Sequence, residues 1–129
     1  MGNGTGIGKV RGLGSAGHGS QHWISQRVTA VGNILLTIWF LISLCLMPNF
    51  EYETLANWLA QPLVAVSMIL MIACLFWHIR LGLQVLIEDY VHDAGLKLGA
   101  IILLNFYVIG TATFGIFMIA KLAFTGASE

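Results

Sequence analysis

From Val28 to Phe50 the chain carries no charged side chain, and none falls between Glu53 and Arg80. A water-soluble domain cannot keep gaps of this length, because its surface must meet solvent at every turn of helix or strand. Stretches of twenty or more uncharged, largely apolar residues have the length of a membrane-crossing helix. Composition supports that reading, with 57% hydrophobic and 9% charged residues, against roughly a quarter charged in ordinary soluble domains. The charges also balance, six Lys and Arg against six Asp and Glu. No basic field therefore exists to hold nucleic acid, and 129 residues leave room for one domain.

Three spans follow, giving an all-α, integral membrane fold with three transmembrane helices. The first covers about 28–47; Pro48-Asn49 then breaks the helix. The second covers about 62–87, opening on Pro62, a good first helical residue. The third covers about 98–124, with only Lys121 charged near its end. Ahead of them, residues 1–21 are rich in Gly and Ser and hold too few apolar side chains to fold alone. They read as a flexible arm preceding a three-helix membrane domain over 22–129. Gly12-Leu13-Gly14-Ser15-Ala16-Gly17 matches a dinucleotide fingerprint in spelling, but no strand precedes it and no βαβ unit follows. Residues 3–10 imitate a phosphate loop, with Asn3 in place of its first glycine and Val10 in place of its Ser or Thr. Cys45 and Cys74 lie far apart inside apolar stretches, without zinc or redox spacing, and read as small apolar side chains.

Lys9, Arg11 and Arg27 precede span one, the first connection holds Glu51 and Glu53, and Arg80 and Lys97 flank the second connection. The positive-inside rule then predicts a cytoplasmic N-terminus and a periplasmic C-terminus. Trp23, Tyr52, Trp58 and Tyr90 near the span ends fit interfacial anchoring.

Polar groups inside a membrane are costly, so each is a functional candidate. His78 lies within span two among Leu75, Phe76, Trp77, Ile79 and Leu81, and needs either a hydrogen-bonding partner or a metal or haem to ligate. At about 100° per residue, Ser67, Met71, Cys74, Gly82, Val85 and Asp89 share its face. Gly82 leaves a gap one turn below, fit for a flat ring or for close approach of another helix. Gly95 and Gly99, spaced G-x-x-x-G, and the Gly110–Gly115 region suggest close packing of span three, and Asn105 an interhelical hydrogen bond. Span two ends in Glu88-Asp89-Tyr90, where a phenol beside carboxylates is either a belt residue or a donor to the carbonyl of a lipid-soluble molecule. His22 and Arg27 open span one; Arg27 can snorkel to the interface or pair with a buried carboxylate.

Two motifs carry a resemblance. His22-Trp23-Ile24-Ser25-Gln26-Arg27-Val28-Thr29-Ala30, and His78-Ile79-Arg80-Leu81-Gly82-Leu83-Gln84 continuing to Glu88-Asp89-Tyr90-Val91-His92, resemble the small hydrophobic membrane anchor subunit of succinate dehydrogenase, respiratory complex II. The likeness runs from about His22 onward and is strongest to the alphaproteobacterial and mitochondrial branch. It implies a multi-pass protein of the bacterial inner membrane. It also implies that His78 is an axial ligand of haem b iron, with a partner cytochrome b subunit supplying the second histidine. Arg27 would then lie near the haem propionates, with His22 beside it and Gly82 leaving room for the ring. Tyr90 would hydrogen-bond a ubiquinone carbonyl, with Asp89 next to it. An iron–sulfur subunit and a flavoprotein subunit would complete the assembly, since this chain has neither a flavin fold nor a cysteine cluster. A fumarate reductase anchor, or a membrane subunit without cofactor, is the alternative.

Overall fold

The computed structural model describes residues 19–125, all of whose regular structure is helical. Four helices follow one another: α1, Gly19–Cys45; α2, Tyr52–Ala60; α3, Pro62–Tyr90; and α4, Ala94–Thr125. Three of them, α1, α3 and α4, are long and apolar enough to cross a membrane. Residues 1–18, which hold most of the Gly-rich arm and both nucleotide-loop lookalikes, lie outside the described residues.

Local chemistry explains each boundary. α1 closes with Leu46 N–H on Ile42 O (3.0 Å) and Met47 N–H on Leu44 O (3.2 Å), just before Pro48 ends the ladder. At the next start, Asn49 Oδ1 accepts from Glu51 N–H at 3.2 Å, a side-chain turn of the kind Asn favours. Gln61 is extended, and Pro62 occupies the first turn of α3, where a missing N–H costs nothing. Asp93 caps α4, its Oδ1 accepting from Leu96 N–H at 2.8 Å, so a carboxylate sits at the positive end of that helix.

Two boundaries differ from the sequence expectation. α1 begins at Gly19, well before Val28, because the polar segment through Arg27 continues the helix beyond its apolar part. The first connection is not a plain loop: it contains α2, which buries Ala56. Trp58 of α2 stacks on Trp39 of α1, ring centroids 6.0 Å apart, and lies 6.3 Å from Phe40.

α3 is the central element. It packs against α1 on one side and α4 on the other, while α2 touches α3 and α4 at one end; α1 and α4 do not pack on each other. Only six hydrophobic side chains are buried among the described residues: Ala56, Val64, Ala65, Leu81, Leu104 and Val108. Large apolar side chains such as Leu63, Leu103 and Phe106 face outward, as expected where the surroundings are lipid or other membrane helices.

The glycines refine the packing expected of span three. A Cβ on Gly115 would sit 3.3 Å from Ile72 Cδ1, and one on Gly32 would sit 3.3 Å from Cys74 Sγ. These are the close helix approaches. Gly99 and Gly110 have nothing within 4 Å, and Gly95 meets only the Asp93 carboxylate at its own helix start. The G-x-x-x-G pair therefore makes no helix seam among the described residues. Asn105 does make an interhelical hydrogen bond, its Oδ1 accepting from Arg80 Nε across the α3–α4 seam.

Candidate functional site

The α1–α3 seam is an antiparallel ladder of small and polar groups. Gly32 faces Cys74, Thr29 reaches His78, and Gln26 faces Gly82. One turn further on, His22, Trp23, Gln26, Gly82 and Val85 line a cleft of about 390 Å³. The α3 members recur every three or four residues, which puts them on one helical face. The face that helical phase assigns to His78 is thus the face that α1 covers.

Thr29 decides the chemistry of His78. Its hydroxyl lies 2.8 Å from Ser25 O, 3.1 Å from Gln26 O and 3.1 Å from His78 Nδ1. A hydroxyl has one proton and two lone pairs. The shortest contact takes the proton back to the helix carbonyl, as threonines in helices commonly do. In the tautomer that carries its proton on Nδ1, the imidazole donates to this hydroxyl oxygen and Nε2 keeps its lone pair. Nε2 has no hydrogen-bond partner among the described residues.

Gln26 carries the second signal. Its amide nitrogen would lie 3.6 Å from a Cβ added to Gly82. Its Oε1 is buried without a partner, as is Asn33 Oδ1 in the same helix. Buried unpaired acceptors in native proteins call for an explanation, since each costs about 1–3 kcal/mol. A hydrogen-bond donor arriving from outside the chain would answer both.

The remaining site residues occupy different positions. Arg27 is exposed, its guanidinium 5.1 Å from the ring of Trp23, so it meets the cleft through that indole wall. Asp89 is exposed, one turn past the cleft residue Val85. Tyr90 is 77% exposed. It ends an unbroken helix twelve residues after His78, hence about 18 Å away along the axis. The structure therefore brings His22, Gly82 and His78 to one seam and leaves Tyr90 and Asp89 at its end. Thr29 and Gln26 were missed in the sequence. The recurrence of His22, Gln26, Thr29 and Asn33 at helical spacing was the signal for them.

No group of three or more His, Cys, Asp or Glu gathers for a metal ion among the described residues. A metal centre here would take one ligand from this chain, His78, and the rest from elsewhere.

Comparison with known proteins bears on that incompleteness. Residues 1–112 match the family described as succinate dehydrogenase/fumarate reductase transmembrane subunit. Succinate dehydrogenase hydrophobic membrane anchor subunits are similar. The one from Rickettsia bellii is 31% identical over 103 residues, covering 80% of this chain and 82% of that protein. That of Rickettsia conorii is 31% identical over 104 residues, with the same coverage, and that of Rickettsia felis 31% over 93 residues, covering 72% and 78%. No solved structure matches the chain significantly.

Proposed function

The chain belongs to the succinate dehydrogenase/fumarate reductase transmembrane subunit family, and from that premise we propose that it anchors a succinate:ubiquinone oxidoreductase in the bacterial inner membrane, lending residues to a haem b site and a quinone-reduction site. The observation that carries this reading is the Thr29–His78 pair. A neutral imidazole with Nδ1–H held by an oxygen acceptor is the form in which histidine ligates metal through Nε2.

The surrounding residues fit a haem. Gly82 opens space one turn from His78. Arg27, packed on Trp23, has a guanidinium suited to paired hydrogen bonds with propionate carboxylates. His22 lines the same cleft. His78, with a histidine of the partner cytochrome b subunit, would hold haem b, which when bound would supply one-electron transfer.

The quinone reading rests on the end of α3. Tyr90 holds its phenol at the membrane boundary, where it donates a hydrogen bond to a quinone carbonyl oxygen and stabilises the charge that develops there. Asp89 beside it holds a carboxylate to pass a proton towards the same oxygen. Electrons reach this end from the iron–sulfur subunit, and succinate is oxidised on the flavoprotein subunit. The charge pattern supports a cytoplasmic end for α3, where those subunits would dock, and a periplasmic C-terminus.

The test is the reduced-minus-oxidised optical spectrum of the purified complex after adding succinate. A low-spin b-type spectrum is expected. A complex with full succinate oxidation and no haem absorbance would instead make the chain a cofactor-free anchor.

A further inference from the structure

Lys97 is one of two charged side chains in α4, and it stands in that helix's first turn. The position is unfavourable for its own helix, whose N-terminal end is the positive one. The gain lies across the corner. Lys97 Nζ donates to Glu88 O at 3.1 Å, in the last turn of α3. It pairs with no carboxylate among the described residues, and the Glu88 side chain is engaged along α3, its Oε1 accepting from Gln84 Nε2 at 2.9 Å.

The last four carbonyls of an α-helix have no partner within it; in α3 these belong to Ile87, Glu88, Asp89 and Tyr90. Val91 N–H takes Ile87 O at 3.0 Å, and Lys97 takes Glu88 O. An ammonium there also meets the negative end of the α3 dipole. The root of Lys97 is fixed in turn. Its own N–H bonds Asp93 O at 2.9 Å, and Asp93 Oδ1 accepts from Leu96 N–H at 2.8 Å. The short turn 91–93 is thus braced from its α4 side, and the brace ends on the carbonyl two residues before Tyr90.

Helix ends open at little cost unless they are tied. Tyr90 is the final residue of α3, exposed and with no hydrogen bond to its phenol among the described residues. If residues 88–90 left the helix, the chain there would lengthen from about 1.5 to about 3.3 Å per residue. Over three residues that carries the phenol about 5 Å, out of hydrogen-bond reach of a fixed partner.

We propose that Lys97 is a positioning residue for the quinone end of α3: its cap on Glu88 O keeps the last turn helical and so holds Tyr90 and Asp89 where they meet the substrate. The proposal rests on the quinone reading of Tyr90 and gives Lys97 no contact with quinone. A terminus that is helical only part of the time binds its ligand with affinity lowered by that fraction. Losing the cap should therefore raise KM for ubiquinone and spare kcat at saturation. Loss of the Tyr90 hydroxyl differs, because it acts on the charge that develops during reaction. One cation at an exposed helix C-terminus is worth about two- to fivefold.

The experiment uses the intact complex carrying Lys97→Met, Lys97→Arg or Tyr90→Phe. Amide hydrogen exchange over residues 88–92 reads the cap, and steady-state kinetics with a short-chain ubiquinone reads the position. Succinate oxidation with a water-soluble dye reads assembly. Lys97→Met keeps the apolar stem; it should exchange faster over 88–92 and raise KM about two- to fivefold, with kcat and dye reduction unchanged. Lys97→Arg should restore both exchange and KM. An unaltered KM in Lys97→Met, beside a fall in quinone reduction by Tyr90→Phe, would overturn the positioning role and keep the quinone reading. Undiminished quinone reduction in Tyr90→Phe would remove that reading and this proposal with it. Dye reduction falling in step with quinone reduction in Lys97→Met would also overturn the proposal, making Lys97 an assembly residue.

Discussion

Thr29 and His78 are 49 residues apart in sequence and meet at 3.1 Å across the α1–α3 seam. The threonine hydroxyl also lies 2.8 Å from Ser25 O in its own helix. One hydroxyl thereby links a backbone carbonyl of α1 to an imidazole on α3. Rotating or sliding α1 against α3 would break this contact.

Replacing Thr29 with Val keeps the side-chain shape and removes the acceptor for Nδ1–H. Deleting such an outer partner of a metal-bound histidine typically lowers metal affinity 10–100-fold. Haem content per complex in Thr29→Val should fall under competition with an apo-haem acceptor, and Thr29→Ser should restore it. Equal haem retention in both variants would leave the hydroxyl a packing group.

Gly82 separates room from rigidity. An alanine Cβ would lie 3.6 Å from Gln26 Nε2, an ordinary contact, so Gly82→Ala should assemble with haem in place. Gly82→Leu fills the cleft between His22, Trp23 and Val85. Its complex should carry substoichiometric haem while succinate still reduces a water-soluble dye. Full haem in the leucine variant would mean that the cleft is not where the ring sits.

How much of this was legible in the sequence depended on the kind of signal. The membrane helices announced themselves through missing charges, because the bilayer tolerates few. α2 did not, since nine residues of mixed character bury only Ala56 and set Trp58 against Trp39. Helical phase put Gly82, Cys74 and His78 on one face but said nothing of which helix would cover it. That choice rests on Gly32 of α1 and Gly82 of α3 letting the two helices approach, a match of surfaces with no sequence period of its own. The G-x-x-x-G spacing misled for the same reason: no helix among the described residues lies over Gly99.

The orientation inferred from Lys9, Arg11, Arg27, Arg80 and Lys97 has a direct check. Alkaline phosphatase, which folds actively only in the periplasm, should be active when fused after Glu129. A green fluorescent reporter at that position should stay dark after Sec export. The reverse pattern would invert the topology and move Tyr90 to the periplasmic face.

Tyr90→Phe removes one hydroxyl from an exposed position at the end of α3, so assembly and haem content should be unchanged. Succinate oxidation with a water-soluble acceptor should survive while ubiquinone reduction falls. Losing one donor at a developing oxyanion costs on the order of 10²-fold in enclosed sites, an upper figure for a position this open. Undiminished quinone reduction would leave Tyr90 an interfacial anchor.

His78→Ala distinguishes ligand from hydrogen-bonding residue most sharply. As a ligand, His78 supplies one of two axial bonds, and its loss should convert the low-spin spectrum to a five-coordinate, high-spin one or leave the haem poorly recruited. No other histidine of the described residues can take its place, because His22 and His92 lie outside the apolar stretch of α3. As a hydrogen-bonding residue only, it contributes the Thr29 contact, worth about 0.6 kcal/mol on average between membrane helices, and the spectrum would persist with a slightly less stable complex. Quinone turnover discriminates poorly here, since electrons can pass from iron–sulfur centre to quinone without the haem. The reduced-minus-oxidised spectrum of the assembled variant is therefore the measurement, and a retained low-spin haem would remove His78 as its ligand.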